Sequence, residues 1–483
     1  MAVPAGQHEA AALLARLTGG ECVETHISAV FLGAAEAFKL KKAVNFGFLD
    51  FTTLAERERL IRHEHALNAP HAPSLYLGPV AITRGEDGAL RLGGEGPAVE
   101  WVLRMKRLPP EAFFQTAPDA SLLDLIADAV VALHAAAPHC TGDGRLRHAV
   151  TGNIAAGLGA GLRPARVEAW GEAALAAEGE LAPWLAERAA TGFLRRCHGD
   201  LHLGNFCLIE GRPTAFDALE FDEALATIDV GYDLAFLVMD LDQKSGRPAA
   251  NRVLNRYLAR TGDVALLRGL PMFLSLRAFI RSHVAGRLGE DFTRLLDAAM
   301  EYLAPPPPPP RLVAIGGLQG TGKSHLARRL APDLGAAPGA VILRSDEIRK
   351  RRAGVVPEAR LPPEAYSIAE NAAVFAELRD LAATALAAGH AVIADAVFQR
   401  EAEREALAAL GADFTGFWLE APLELLRARI AAREGDASDA TPEILQAAAL
   451  RDAGRITWHR LDAAAGTEAM ARKILDLPAL ISP

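Results

Sequence analysis

Cysteine is scarce in this chain of 483 residues: there are four, Cys22, Cys140, Cys197 and Cys207, and no two form a CxxC pair. That excludes a disulfide-stapled scaffold and fits a reduced, cytoplasmic setting. Positive charge is not in excess, since 51 Lys and Arg face 60 Asp and Glu for a formal net charge of −9. A general nucleic-acid-binding surface is therefore not expected. Long uncharged apolar runs are missing too; even residues 264–284 are broken by Arg268, Arg277 and Arg281, so no membrane span is expected. Residues 1–17 lack the basic start and pure apolar core of a signal peptide and read as an amphipathic helix. With 51% hydrophobic residues, the chain has ample material for globular cores, and its length calls for two or three domains.

What is present centres on Gly317-Leu318-Gln319-Gly320-Thr321-Gly322-Lys323-Ser324. An apolar run, 311–315, precedes it as a strand, and 325–330 follows as a helix. Glycines let the backbone fold tightly enough for its N–H groups to surround phosphate oxygens. Lys323 is then placed to reach the β/γ-phosphates and Ser324 to hold Mg²⁺, with the helix N-terminus adding its positive dipole end. Gly317, Gly320, Thr321, Gly322, Lys323 and Ser324 are thus the expected ATP-binding residues.

Six consecutive prolines, residues 305–310, form a stiff extended rod that joins neither a helix nor a central strand. They mark a linker between a first domain at 1–304 and a second at 311–483. The front of the first domain reads as strands over 28–40, 75–83 and 99–105, with a helix at 54–67 and a turn at Asp87-Gly88. Helical spacing takes over from Ser121, with Pro164 and Pro183 interrupting the stretch 155–188. A β-rich front and a helical back outline a two-lobed kinase.

The chemistry of this domain lies between Cys197 and Asp222. His198-Gly199-Asp200-Leu201-His202-Leu203-Gly204-Asn205 is followed, after a short hairpin at Glu210-Gly211-Arg212-Pro213, by Phe216-Asp217. Phosphoryl transfer needs a carboxylate to accept the acceptor hydroxyl's proton, and an amide and a second carboxylate to hold Mg²⁺. Asp200, Asn205 and Asp217 supply that set. Cys197, His198, His202 and Cys207 match no common structural zinc spacing, and zinc would leave those three residues unexplained. Glu220, Asp222, Asp229 and Asp233 form an acidic cluster downstream, read as bracing carboxylates or as a greeting for a cationic acceptor.

The segment from His198 to Asn205 resembles the catalytic loop of the aminoglycoside phosphotransferase-like kinases, a branch of the protein-kinase-like fold. The resemblance implies Asp200 as catalytic base, Asn205 and Asp217 as metal ligands, and Lys39 as the lysine on the α/β-phosphates, with Lys41 and Lys42 as competitors. It also implies Glu64 as the helix partner of that lysine and 105–108 near an adenine-holding hinge. No GxGxxG stands upstream of Lys39, which departs from protein kinases and leaves the phosphate-covering loop unassigned.

The second domain alternates strand and helix, with strands at 311–315, 340–343, 391–394 and 414–419, another near 456–461, and the longest helix at 364–388. That is a parallel sheet with nucleotide held at the strand C-termini. It resembles the small P-loop kinases of the zeta-toxin and polynucleotide-kinase branch, AAA-type in pattern. The resemblance implies Asp346 as the residue that activates an acceptor hydroxyl. Asp395, closing Val392-Ile393-Ala394-Asp395 in Walker B form, would organise Mg²⁺. Arg427, Arg429 and Arg433 recur on a helix before a lid-like segment, where Arg429 and Arg433 are candidates to close over the phosphates.

The expected fold is an α+β two-lobed protein-kinase-like domain followed by an α/β P-loop NTPase domain with a parallel sheet. The whole chain, including KLKKAVNFGFLDFTTL at 39–54, resembles a bacterial family of fused aminoglycoside phosphotransferase-like and P-loop ATP-binding proteins. That family implies an ATP- and Mg²⁺-dependent phosphotransferase acting on a small-molecule hydroxyl. Two other readings are a nucleotide-sensing protein in which one domain controls the other, and a nucleic-acid 5′-hydroxyl kinase, which the acidic charge does not encourage.

Overall fold

The structure is a computed structural model that describes residues 2–45, 50–114, 116–304, 310–411, 413–432 and 437–476. Most of the proline run, 305–309, and Arg433 lie outside the described residues. By its contacts the chain divides into two compact units. The first comprises Met1–Ala117, Leu133–Arg145 and Arg188–Asp233; the second comprises Pro118–Ala132, Leu146–Glu187 and Leu234–Pro483. This division does not follow the proline run: the helices just before it fold in one unit with the sheet after it.

The first unit is built on six antiparallel strands: β1 (Cys22–Glu24), β2 (Ser28–Leu32), β3 (Glu36–Lys41), β4 (Tyr76–Arg84), β5 (Leu90–Leu92) and β6 (Ala98–Lys106), in the order β1-β2-β3-β6-β4-β5. Side chains alternate across a strand. Phe38 and Leu40 of β3 therefore join the apolar cluster of helix α1 (His8–Thr18), with Leu13 and Leu14. Lys39 and Lys41 consequently face the other way, toward helix α2 (Leu54–Asn68). Thr53 starts α2 by accepting a hydrogen bond from the Glu56 amide at 3.2 Å, a cap that satisfies one of the free N–H groups of the first turn. Two small ribbons complete this unit. One pairs β7 (Leu194–Arg196) with β10 (Thr227–Asp229); the other pairs β8 (Phe206–Ile209) with β9 (Arg212–Ala215), turning at Glu210 and Gly211 with φ of 52° and 77°.

Helices supply the part that follows the strands: α3 (Ala120–Ala136), α4 (Leu146–Gly159), α5 (Pro164–Ala190), α6 (Glu223–Ala226), α7 (Val230–Ser245), α8 (Arg247–Thr261), α9 (Leu270–Leu288) and α10 (Thr293–Leu303). Pro164 opens α5, where its missing N–H costs nothing, but α5 runs on through Pro183, so only one of the two expected interruptions is real.

The second sheet is parallel, in the order β12-β13-β11-β14-β15, from β11 (Arg311–Gly317), β12 (Val341–Arg344), β13 (Val392–Asp395), β14 (Asp413–Glu420) and β15 (His459–Asp462). Its helices are α11 (Lys323–Leu330), α12 (Ser345–Arg352), α13 (Ile368–Ala387), α14 (Glu401–Ala408), α15 (Leu423–Ala431), α16 (Pro442–Ala449) and α17 (Thr467–Leu475). Val313, Ile315, Ile393, Phe417 and Leu419 of the sheet pack with Leu326 and Leu330 of α11 and Met470 and Ile474 of α17. Strands apolar on both faces suit a sheet covered on both sides. With β11 central, the loop after it opens at the C-terminal edge of the strands, where ligands of open parallel sheets bind.

Candidate active sites

The first site is organised by one buried carboxylate. Glu64 of α2 is fully buried; its Oε1 accepts from Lys39 Nζ at 2.7 Å and its Oε2 from Lys41 Nζ at 2.6 Å. Lys39 also contacts Asp217, and Lys41 contacts Glu220. Burial works against the charge on both lysines, but the surrounding carboxylates prevail. Asp217 and Glu64 lead for Lys39, Glu220 and Glu64 for Lys41, and both ammonium groups are held above their ordinary range. Among the three candidate lysines, Lys39 is the one that reaches Asp217. Lys42 turns to Glu24, at 2.8 Å.

Asp217 follows β9 with φ 63°, a left-handed conformation that a non-glycine residue holds only where its surroundings impose it. They do so here: its amide donates to the Tyr76 hydroxyl at 2.9 Å, and the Ala218 amide donates to Asn68 Oδ1 at 3.0 Å. The Asp200 loop is pinned from below. Asp233, fully buried, accepts from the amides of His198 (3.1 Å) and Gly199 (2.9 Å) and meets His134 Nε2 at 3.1 Å. Burial lowers the pKa of His198. Its neutral ring accepts from the Asp200 amide at Nδ1 (3.3 Å) and donates from Nε2 to the Phe216 carbonyl (3.0 Å). One imidazole thus ties the Asp200 loop to the residue before Asp217.

Asn205 donates from Nδ2 to the carbonyl of Asp200 at 2.8 Å and to its Oδ2 at 3.0 Å. That orientation leaves its amide oxygen as an acceptor, and of the Asp217 carboxylate it is Oδ1 that Lys39 engages. Hard oxygen donors of this kind suit Mg²⁺, so the residues fit the metal that the catalytic loop calls for. Asp200 is about half exposed, with His202 Nε2 at 3.6 Å from its Oδ2.

The acidic cluster is not a greeting for a cation. Glu220 holds Lys41, Asp222 caps α6 through the Ala224 amide at 2.8 Å, Asp229 holds Arg188 at 2.6 Å, and Asp233 braces the loop. Every one is spent internally. Cysteines and histidines nearby are likewise engaged: Cys207, its thiol pushed up to about 12 by burial, faces the Thr214 carbonyl, and His202 accepts from the Gly204 amide.

At the second site, Gly317, Gly320 and Gly322 have φ of 131°, 84° and 88°, all in the region that favours glycine. A Cβ on Gly317 would sit 2.4 Å from the Leu419 carbonyl oxygen. Lys323 opens α11 and folds back to donate to the carbonyls of Gly317 and Leu318, both at 3.0 Å. Ser324 Oγ donates to Asp395 Oδ2 at 2.6 Å, so the two groups expected to organise Mg²⁺ are in direct contact. Thr321 is buried and closes the loop on the Leu318 carbonyl at 2.8 Å. Arg344 lies 3.7 Å from Asp395 and 3.8 Å from Asp346. Burial raises the Asp346 pKa against the pull of Arg344. Arg429 donates to Ala463 O at 3.0 Å beside the loop, whereas Arg427 stays on the surface with Gln446.

Lys41, Glu220, Asn68 and Tyr76 are contributors that sequence reasoning did not assign. Lys41 was in view only as a rival of Lys39. The one available signal was its two-residue offset, which puts both lysines on one face of β3.

Two family models match this chain. Residues 54–270 match the family model described as "Phosphotransferase enzyme family", and residues 312–452 match that described as "AAA domain". An uncharacterized protein of Mycobacterium tuberculosis (strain ATCC 25618 / H37Rv) is 31% identical over 484 residues, covering 92% of each chain; an uncharacterized protein of Mycobacterium bovis (strain ATCC BAA-935 / AF2122/97) matches equally. Among solved structures, a choline kinase from Cryptosporidium parvum Iowa II is 12% identical with a TM-score of 0.41, covering 62% of this chain and 94% of its own. A gluconokinase from Sinorhizobium meliloti 1021 is 20% identical with a TM-score of 0.25, covering 36% and 90%.

Proposed function

We propose, from the premise that this chain belongs to the family of fused phosphotransferase and P-loop ATP-binding proteins and is a phosphotransferase enzyme, that its first site transfers the γ-phosphoryl of ATP to the hydroxyl of a small molecule. The observation that carries this reading is the Lys39–Glu64 and Lys39–Asp217 pairing beside Asp200 and Asn205. These residues would supply a phosphate-binding cation, a metal-binding pair and a half-exposed carboxylate.

In this reaction Asp200 takes the proton of the acceptor hydroxyl as its oxygen bonds to the γ-phosphorus. The bond from that phosphorus to the β,γ-bridging oxygen breaks, and ADP leaves with the electron pair. Lys39 donates to the phosphate oxygens, and Glu64 keeps it aimed. Mg²⁺, held by Asn205 and Asp217, would neutralise charge on the transferring group. The chain's own work is positioning and charge placement.

The second site carries the same reaction class. Lys323 and the glycine loop bind the phosphates, Ser324 and Asp395 would hold Mg²⁺, Asp346 receives the acceptor's proton, and Arg429 stands by the loop. The proposed sequence domains remain 1–304 and 311–483, joined by the prolines 305–310. No helix among the described residues is long and apolar enough to cross a membrane.

The test is transfer of labelled phosphate from ATP into a metabolite extract, run with the wild type, Asp200→Asn and Asp346→Asn. Each variant is expected to lose one class of labelled product while still binding ATP. Undiminished labelling in the double variant would overturn both base assignments.

A further inference from the structure

The P-loop cavity has a wall that comes from outside the P-loop domain. Its volume is about 610 Å³, and beside Gly320, Gly322 and Arg328 it is lined by Asp124 of α3 and by Arg252 and Arg256 of α8. Those last three fall in the stretch matched by the phosphotransferase family, not in the stretch matched by the AAA domain. All of them nonetheless belong to one compact unit, the second.

Helix α8 is fastened to the parallel sheet by its own side chains. β12 is an edge strand, and an edge leaves backbone groups unpaired on its outer side. Asn255 meets two of these groups as a neighbouring strand would: its Oδ1 accepts from the Ile342 amide at 2.7 Å, and its Nδ2 donates to the Ala340 carbonyl at 3.1 Å. Asn251 donates to the same carbonyl at 3.0 Å. Arg256 ties α8 to Asp128 of α3 and to Glu358, both at 2.7 Å, and Arg351 of α12 donates to the Ala259 carbonyl at 3.1 Å. The wall is therefore held by hydrogen bonds to the strand that leads into Asp346.

Two guanidinium groups in this cavity keep donors to spare. Arg252 gives Nε and Nη2 to Asp124 at 2.8 and 2.6 Å, and its Nη1 has no hydrogen bond among the described residues. The side chain of Arg328, exposed on α11, makes no hydrogen bond or close ion pair among the described residues and feels Glu347 only through space. A polyphosphate held at Gly320–Gly322 shares one cavity with both. Planar guanidinium donors favour phosphate oxygens and also stack on flat rings.

We infer that the P-loop site is composite: a nucleoside triphosphate bound there touches Arg252 of the α3–α8 wall as well as Arg328 of α11. This rests on the reading of residues 317–324 as a nucleotide site and adds a second set of contacts to it. It also means that a fragment starting at residue 311 lacks part of its own binding site.

The test uses the full chain in a Lys39→Ala background, which silences the first pocket, with Mg·ATP as the probe. Arg252→Gln is combined with Asp124→Asn so that no orphaned carboxylate is left facing the phosphates, and Arg328→Gln is made separately. Each is expected to raise the Kd by about tenfold, the size of one lost charge-assisted hydrogen bond. In the otherwise unaltered protein, saturating Mg·ATP is expected to slow amide exchange across residues 247–261, and Lys323→Ala to abolish that slowing. If ATP binding is lost in Lys323→Ala but is unchanged in both arginine variants, with exchange at α8 unaffected, the composite site is overturned and the P-loop reading stands. If Lys323→Ala also binds normally, the P-loop reading itself fails.

Discussion

Lys41→Met removes a cation that stands between two carboxylates in the interior while keeping the length of the side chain. Lys41 and Glu64 are fully buried and Glu220 is 5% exposed. After the substitution Glu64 keeps only Lys39, which it must share with Asp217, and Glu220 loses the only ion-pair partner described for it. Breaking a buried pair from one side costs about 3–5 kcal/mol, because the remaining charge stays buried without compensation. At roughly 2–4 °C per kcal/mol for a domain of this size, the melting temperature should fall by about 6–20 °C.

The pH dependence carries a definite sign. An orphaned, buried carboxyl has its pKa raised, so the folded variant binds more protons than the unfolded chain and loses stability as pH rises. In the wild type the lysine pKa values are raised above 10.5, so their contribution is complete below that pH and fades only above it. The gap between variant and wild type should accordingly widen from pH 5 to pH 8. Glu220→Gln added to Lys41→Met should recover part of the loss, since removing both partners leaves less charge stranded. Urea titrations of the wild type, Lys41→Met, Glu220→Gln and the double variant at both pH values measure all of this. A loss below about 1 kcal/mol, or a double variant no better than the sum of the singles, would refute the network as an energetic unit.

Gly317→Ala should abolish nucleotide binding at the P-loop and destabilise the sheet around it. The added Cβ meets backbone at 2.4 Å in a left-handed conformation, and wild-type ATP affinity in this variant would contradict the loop geometry. Asp233→Ala leaves the His198 and Gly199 amides without their acceptor and should cost about 1–3 kcal/mol per stranded group, with loss of first-site turnover; the check is a thermal melt paired with the labelling assay. Second-site turnover should show an acidic limb above the ordinary aspartate value of 3.8, because burial raises the Asp346 pKa and the base works only when ionised. A pH–rate profile flat down to pH 4 would exclude that residue. Chelation of Mg²⁺ should stop transfer at both sites, as read by the same labelling assay.

Features that depend on short spacing were legible from the residues alone. Asp200 and Asn205 are five apart in one loop, and the P-loop is eight contiguous residues whose glycines announce their backbone. Local chemistry of this kind is written in order along the chain, and the α/β alternation and the kinase-like outline followed from periodicity. Partners drawn from separate elements were a different matter. Lys41 meets Glu64 and Glu220 at separations of 23 and 179 residues, and nothing in the spacing tells Lys39 and Lys41 apart from Lys42 until the segment is known to be a strand. The pleat of β3 does so, by turning Phe38 and Leu40 into the α1 core and both odd-numbered lysines toward α2. The acidic cluster left two readings open, bracing carboxylates or a cation site, because four carboxylates stand close in sequence; each is spent on a different partner once the chain has packed. Helix α8 belongs by sequence to the domain before the prolines, yet its asparagines complete the edge of the sheet after them. Burial forces every backbone group to find a partner, and which partner it finds is settled only when distant elements come together.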